Sequence, residues 1–514
     1  MGIRLARIVD AKTLLFILAA LIFLYAVVFV PPFLPIQLNS PDSIFYLAQG
    51  QRVYEGETIY RDFFEFVTPG TALVYALLFN LFGHRLWIPN LASVVLGLGF
   101  VGLGVLIAKK LMRPSLALLP SAIFLVGLRE WLCDPTHHWY SLLGAMAGMA
   151  VLMERRTPAR IAAAGSLCGL SACFTQTRGL AAAVGLGVFL WWESGRSREG
   201  GRELLKKEGQ MAGGFLATII PVNAYFIWKA GPARFLWCTV VFVLKYLPKF
   251  GSWNTFQAYR QSFNASVLLY RSLQSSTQWT FLYVLLPLIY VLFFVRYRRQ
   301  CSQKPNEFWE RPMLVAMVGS FLLLSILPAP SPIRVASSAL PGIILLVWFL
   351  DSPQKLARAI AAALAVGVLV IAPHAVARVQ SRQKWILTTP QGSMALTDPE
   401  LGEKLAWIQD HTRPGEYFYA AGPDAYFYLD LRNPTPLPRL KNNGYTTVEQ
   451  VVEVVRGLEQ HQPRYALWPL ELGMAPDREV LPDDHLDPVR DYIQSHYQKV
   501  KAFTDSAIIW ERKD

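Results

Sequence analysis

Charge is scarce in this sequence. Charged residues occupy 17% of its 514 positions, against about 25% in an ordinary soluble domain, while 53% are hydrophobic and 13% aromatic. That balance argues against a soluble multidomain enzyme. Cysteine is scarce too: the five present form no CxxC and no Cys/His ligand spacing, which speaks against a disulfide scaffold, a zinc site or a redox motif. Cys133 and Cys238 are the two that fall in loops expected outside the membrane, where they could pair. No internal repeat and no low-complexity tract is visible. The tail beyond residue 377 lacks GxGxxG, so a nucleotide-binding reading has no support there.

What the chain has in abundance is long apolar runs, and its mean hydropathy is +0.31. They recur between residues 12 and 376 and are separated by short basic loops, the pattern of a polytopic membrane protein. Eleven spans are expected, over 12–31, 87–108, 115–128, 139–153, 160–175, 179–193, 210–229, 279–295, 312–327, 336–350 and 357–376. The first is too long for a signal-peptide core and no small-residue cleavage site follows it, so it is expected to stay as an anchor. The run TALVYALLFNLF at 71–82 is too short to cross and is expected to lie in the interface. The 49 Lys and Arg exceed the 36 Asp and Glu by a net charge of +13. They cluster beside alternate span ends, among them Arg4, Arg7 and Lys12, Lys109, Lys110 and Arg113, Arg155, Arg156 and Arg160, Arg296, Arg298 and Arg299, and Lys355 and Arg358. They therefore read as orientation signals rather than a nucleic-acid surface, and no nucleic-acid partner is expected. All fall on one side only if 71–82 does not cross, which puts the N-terminus in the cytoplasm and, with an odd span count, the C-terminus outside.

The expected fold is thus a polytopic α-helical membrane domain, residues 1–376, with a long first outer loop at 32–86 carrying interfacial helices. A small soluble α/β domain follows at 377–514, outside the cytoplasm. In that tail Pro399–His411 and 446–461 have amphipathic helical periodicity, 417–421, Tyr465–Pro469 and 507–510 read as strands, and GPD at 422–424 and NPTPLP at 433–438 read as turns. The localisation that follows is an integral protein of a bacterial inner or plasma membrane.

Long ordered loops usually serve function, and the first outer loop holds the candidate chemistry. It contains Pro41-Asp42-Ser43-Ile44-Phe45-Tyr46-Leu47-Ala48-Gln49-Gly50-Gln51-Arg52 and then Tyr60-Arg61-Asp62-Phe63-Phe64-Glu65-Phe66-Val67-Thr68-Pro69-Gly70. Asp42 opens a helical pattern. Its plain reading is a helix cap, and the functional alternative is a general base at the membrane surface. Asp62 and Glu65, at i and i+3, are placed to share a helix face near Asp42, or else to form a solvated edge or an ion pair with Arg61.

An acidic residue opening D-x-x-x-Y-x-x-A-x-x, then G-x-x-x-Y-x-D-F-F-E and a Pro-Gly before an apolar helix ending in Phe-Gly, resembles the membrane-embedded C-type glycosyltransferases. More narrowly it is similar to the protein O-mannosyltransferase and lipid A aminoarabinose transferase superfamily. The carrying residues are Asp42, Tyr46, Ala48, Gly56, Tyr60, Asp62, Phe63, Phe64, Glu65, Pro69, Gly70, Phe82 and Gly83. The resemblance implies transfer of a sugar, with inversion, from a polyprenyl-phosphate carrier to a lipid, glycan or protein acceptor at the outer face. It gives Asp42 the role of base. Such a reaction needs no cofactor and no strong acid, because a lipid phosphate is already a good leaving group, but the charge developing on it calls for Arg or Lys. The aminoarabinose transferases carry a Lys before the loop's Pro. Here Val67 and Thr68 stand instead, so the phosphate must be held from elsewhere.

Arg178, in Thr175-Gln176-Thr177-Arg178-Gly179, and Arg334, in Pro330-Ser331-Pro332-Ile333-Arg334, are the candidate phosphate ligands, since an arginine near membrane depth is costly unless it is paired or used. Arg178 would otherwise pair with Asp42, Asp62 or Glu65. Lys245 and Lys249 suit headgroup anchoring as well as a site. His137 and His138 precede Trp139 and Tyr140, which an interfacial aromatic belt explains. Adjacent helical residues diverge by about 100°, so no metal site is expected and His138 is a candidate substrate contact, with Tyr46, Asp62, Glu65, Arg178, Lys245 and Arg334. A flippase of lipid-linked saccharides would predict repeats and midplane charges, neither of which is visible. An oligosaccharide ligase or polymerase is a nearer alternative, and eleven spans exceed what a scaffold's anchor needs.

Overall fold

Apolar segments that cannot leave backbone groups unpaired in lipid become helices, and each of the eleven expected spans coincides with one. The computed structural model describes residues 10–38, 41–197, 200–247, 278–442, 444–473, 484–504 and 506–513. Five helices in it are long and apolar enough to cross a membrane: Ala11–Val28, Ile88–Ala108, Gly201–Ala230, Gln278–Gln300 and Lys355–Ser381. The other expected spans correspond to His137–Leu152, Pro158–Phe174, Gln176–Ser197 and Asn306–Leu324, and to the shorter Leu119–Gly127 and Leu340–Leu350. The tenth is cut short for a local reason. Its polypeptide forms a separate turn of helix, Pro332–Ala336, and restarts at Leu340 with Pro341 inside the first turn. Lys249 lies outside the described residues.

Backbone packing divides the chain into two compact units. One comprises Met1–Val28, Leu91–Asn223 and Thr255–Ser381. One end of this bundle is laced by charge. Lys109 pairs with Asp10 (3.6 Å), Lys110 with Glu154, Arg113 with Asp351, and Arg156 with both Glu193 (3.1 Å) and Glu310 (3.3 Å), while Arg196 donates to Asn306 (2.6 Å). These basic residues belong to the loops expected on the inner side, and their partners are the acidic residues, and in one case the Asn306 amide, of neighbouring segments. Trp139 and Trp309 are fully buried in its core.

The other unit comprises Phe29–Asn90, Ala224–Asn254 and Arg382–Asp514. Its four-stranded sheet has the spatial order Tyr419–Ala420, Tyr465–Pro469, Ala507–Arg512, Tyr497–Phe503, with the first pair parallel and the others antiparallel. Helices Pro399–His411 and Val448–His461 form where expected. The first is capped by Asp398, which accepts from the Glu400 and Leu401 N–H groups, and the second by a Thr447/Gln450 capping box. The hairpin Trp385–Thr389/Gly392–Leu396, helix Asp487–His496 and strand Tyr497–Phe503 were not expected. GPD at 422–424 starts a short helix, Asp424–Leu429, instead of a turn, and the helix stops where Asp430 takes φ +57°. First-loop side chains Ile59, Tyr60, Phe63 and Phe64 share one core with Tyr419, Val451, Leu458, Trp468 and Ile493 of the tail and with Cys238 and Phe242. Cys133 and Cys238 are both free thiols.

Candidate active site

In the first unit the site is built at a helix restart. A helix end leaves carbonyls without partners, and the break after Ala336 does so at Arg334 and Ser337. Arg178 reaches them from helix Gln176–Ser197. Its Nη1 donates to the His138 carbonyl (2.7 Å) and the Ser337 hydroxyl (2.9 Å), and Nη2 donates to the Arg334 carbonyl (3.4 Å). The Ser337 hydroxyl in turn donates to the Arg334 carbonyl at 2.9 Å. Gly179 makes this approach possible, because a Cβ there would overlap the backbone nitrogen of Ala172 on the preceding helix. Arg178 is 2% exposed, its Nε has no hydrogen-bond partner, and among the described residues no carboxylate pairs with it.

Arg334 lies in the short helix just before the break and donates to the Ala329 carbonyl at 3.1 Å. His138 is buried, with its Nδ1 unpartnered, and His137 Nδ1 meets the Thr175 hydroxyl at 2.8 Å. The two imidazoles do not diverge as expected. Their ring centroids are 3.8 Å apart, because the pair stands in the first turn of His137–Leu152, where no preceding turn restricts the rotamers. The structure thus brings His138, Arg178 and Arg334 together. Ser337 completes the group and was not foreseen; its one signal is its place three residues after Arg334.

In the second unit, Asp42 stands in the first turn of helix Pro41–Tyr54, inside the helix rather than ahead of it as a cap, where the helix dipole favours a carboxylate. Tyr46 and Gln49 follow at i+4 and i+7 on the same face, both buried. Gly50, beyond them, lets this helix meet Gly70–Phe82 so closely that a Cβ would overlap that of Tyr75.

Asp62 and Glu65 do not share a helix face, because residues 60–69 are a loop. Tyr60 adopts φ +70°, its hydroxyl donates to the Val67 carbonyl (2.7 Å), and its ring packs edge-on against Phe226 and Phe235. Phe64 donates its N–H to the Pro436 carbonyl at 2.9 Å. Aromatic anchors of this kind override helical spacing. The consequence is that the two acids part company. Asp62 turns outward to Arg61 at 2.7 Å, and that hydrogen bond holds its carboxyl below the usual aspartate value. Glu65 turns inward, where burial pushes its carboxyl up to about 7 and the nearby charge of Asp42 adds to the rise.

Tyr445 and Arg439 of the tail lie near this pair: the Tyr445 hydroxyl is raised first by burial and then by the charges of Glu65 and Asp42, against the pull of Arg439. Neither was foreseen, and nothing in a single sequence links a tail tyrosine to a loop hundreds of residues earlier. Lys245 is exposed at the end of helix Phe242–Lys245, over the Tyr246 ring at 5.3 Å. No group of three metal-ligating side chains occurs among the described residues.

No family model and no curated protein matches the sequence. Solved structures do match. The aminoarabinose transferase ArnT from Cupriavidus metallidurans, in the apo state, aligns over 97% of both chains with a TM-score of 0.59 and 13% identity. The chain has the fold of a membrane-embedded C-type glycosyltransferase. The same ArnT bound to undecaprenyl phosphate aligns over 97% of both chains with a TM-score of 0.57 and 13% identity. The mycobacterial arabinofuranosyltransferase AftD, at 12% identity, 98% of this chain and 40% of its own, gives a TM-score of 0.46, too low to establish a common topology.

Proposed function

We propose that this protein is an inverting glycosyltransferase that moves a sugar from a polyprenyl-phosphate carrier to an acceptor at the outer face of a bacterial plasma membrane. The observation that carries the reading is Arg178, a buried guanidinium satisfied by carbonyls and a hydroxyl but by no carboxylate, with Arg334 and His138 beside it. Positive charge kept without a counter-ion suits an anionic ligand that arrives with the substrate. The ArnT fold supports the choice of a carrier phosphate as that anion, since undecaprenyl phosphate is bound by ArnT.

The proposed reaction is a single displacement. The acceptor's oxygen or nitrogen attacks the anomeric carbon while Asp42 removes its proton, the bond from that carbon to the carrier oxygen breaks, and the carrier leaves as its phosphate. Attack from the face opposite the leaving group inverts the centre. Arg178 and Arg334 stabilise the phosphate charge, and Tyr46 lies one turn along from the base. The paired cations at one end of the helical bundle support the orientation proposed, eleven spans with an inner N-terminus and an outer tail domain, because the basic loops assigned to the inside gather at that end.

The test is transfer by the purified protein from defined polyprenyl-phosphate sugars, with the product read by mass spectrometry. Asp42→Asn keeps the size of the side chain and removes the base. A general base contributes about 10² to 10⁴ in rate, so transfer should fall at least a hundredfold while the melting temperature holds. Near-normal transfer by this variant would remove Asp42 from the chemistry.

A further inference from the structure

The tail holds a cavity that the proposed reaction does not use. It forms where helix Pro399–His411 lies on one face of strand Tyr465–Pro469. Alternate residues of a strand share a face, and on this one Tyr465 meets Trp407 of the helix at 5.4 Å between ring centroids. Towards Pro469 the packing is incomplete. Leu467 is only half-buried in mid-strand, although Ala466 and Trp468 on the opposite face are fully buried. The space left there is about 140 Å³, where about 10–15 Å³ admits one water. A second cavity, against Arg52 and Tyr426, has about 10 Å³ and holds one water at most. The larger one alone of these two can take an organic molecule.

Its position is the one at which open α/β sheets take ligands, beyond the carboxyl ends of their strands. The parallel strands Tyr419–Ala420 and Tyr465–Pro469 both run towards it: Ala421 and Gly422, which follow the first, and Pro469, which ends the second, line it. Leu405, Ile408 and Leu467 give it apolar walls, and three polar side chains reach it, Lys404, Ser506 and Asp424. The first two are engaged with Glu400. Lys404 Nζ stands 2.8 Å from Glu400 Oε1, and hydrogen bonds from Lys404 and then Ser506 hold the Glu400 carboxyl below its usual value.

Asp424 has no such arrangement. It ends the GPD motif, and its carboxylate folds back over Gly422, where a Cβ would lie 3.7 Å from Oδ2. Among the described residues it meets its own backbone N–H and no cation at ion-pair distance. Burial raises its carboxyl, Arg439 and Lys404 draw it down from further off, and Asp398 adds to the rise. With Lys404 balanced by Glu400, the charge left facing the cavity is the negative charge of Asp424. A carboxylate between apolar walls is costly without a partner. An anion or an apolar molecule entering the cavity would add to that cost, and a cation would remove it.

We propose that this cavity binds a small primary amine in its ammonium form, with the ammonium paired to Asp424 and the carbon body against Leu405, Ile408 and Leu467. The probe is n-butylammonium, titrated calorimetrically into the purified full-length protein, with n-butanol as its neutral counterpart and butyrate as its anionic one. Butylammonium should bind saturably to the wild type, at least about tenfold more tightly than n-butanol, and butyrate should bind least. Asp424→Asn keeps the shape of the side chain and removes its charge. The lost charge-assisted hydrogen bond predicts butylammonium binding weaker by about ten- to a hundredfold, with n-butanol binding unchanged. Leu467→Phe fills the space and leaves the carboxylate in place, so it keeps the proposal testable if Asp424→Asn fails to fold, and it should weaken butylammonium and n-butanol alike. Absence of saturable butylammonium binding overturns the proposal. So do equal affinities for butylammonium and n-butanol, tighter binding of butyrate than of butylammonium, and butylammonium binding that neither substitution changes. The titration needs no sugar transfer, so its result is independent of whether Asp42 is the base.

Discussion

Arg490 and Arg178 are buried to nearly the same degree, at 5% and 2% exposure, in opposite electrostatic surroundings. Arg490, in the tail, is held by Asp484 at 2.5 Å and Asp487 at 2.8 Å, and it also donates to the Leu472 carbonyl at 2.9 Å. Its charge is neutralised and its donors are used. Arg178 is held by carbonyls and a hydroxyl, and its nearest charged neighbour of note is another arginine, Arg334. Removing an ion from water costs several kcal/mol, and in the proposed reading the counter-charge of Arg178 is brought by the carrier phosphate. Burial therefore does not distinguish a structural cation from a functional one. The source of its counter-charge does.

The comparison makes stability and substrate binding separable. Arg490→Ala leaves Asp484 buried and uncompensated, so it should lower unfolding stability by about 3–5 kcal/mol, read as a drop in melting temperature, with transfer per folded molecule unchanged. Arg178→Ala should do the reverse. Loss of charge-assisted hydrogen bonds worth about 1.5–3 kcal/mol predicts carrier binding weaker by about ten- to a hundredfold, measured with a fluorescent polyprenyl phosphate, and a drop in melting temperature smaller than that of Arg490→Ala. Arg178→Lys should recover little, because an ammonium lacks the guanidinium fork. An Arg178→Ala protein that binds carrier normally but melts early would make Arg178 a second Arg490. The smallest effect belongs to Asp62→Asn, which breaks a half-exposed pair worth about 0.2–1 kcal/mol and should leave transfer within about twofold. Because the Asp62 carboxyl is held below 3.8, its contribution is present at neutral pH and is lost only as pH falls below that value.

The helical part of the fold was legible because a membrane leaves a coarse signal, long apolar runs with basic punctuation. Arg178 and Arg334 were legible for the same reason: a cation in that setting stands out. The break at 337–339 was not, since Pro332 and Pro341 can each begin a helix and only packing decides that both do. The i, i+3 spacing of Asp62 and Glu65 misled because it presumed a helix where Tyr60, Phe63 and Phe64 instead plug into the tail's core. Gln49 and Tyr445 were invisible as site residues for the same reason. Their role depends on which segments meet, and local periodicity carries no record of that.

The tie between first loop and tail also sets a timetable. Gln51 donates to Asp430 at 3.1 Å, and Arg52 donates to the Thr435 carbonyl at 2.9 Å, across separations of 379 and 383 residues. Ribosomes add about 5–20 residues per second, so the loop waits roughly 20 to 75 seconds after its own synthesis before the segment that covers Tyr60, Phe63 and Phe64 exists. During that interval a cluster of aromatic side chains has no tail to cover it, and a ribosome that stalls before residue 430 leaves behind all eleven expected spans with the first loop uncovered.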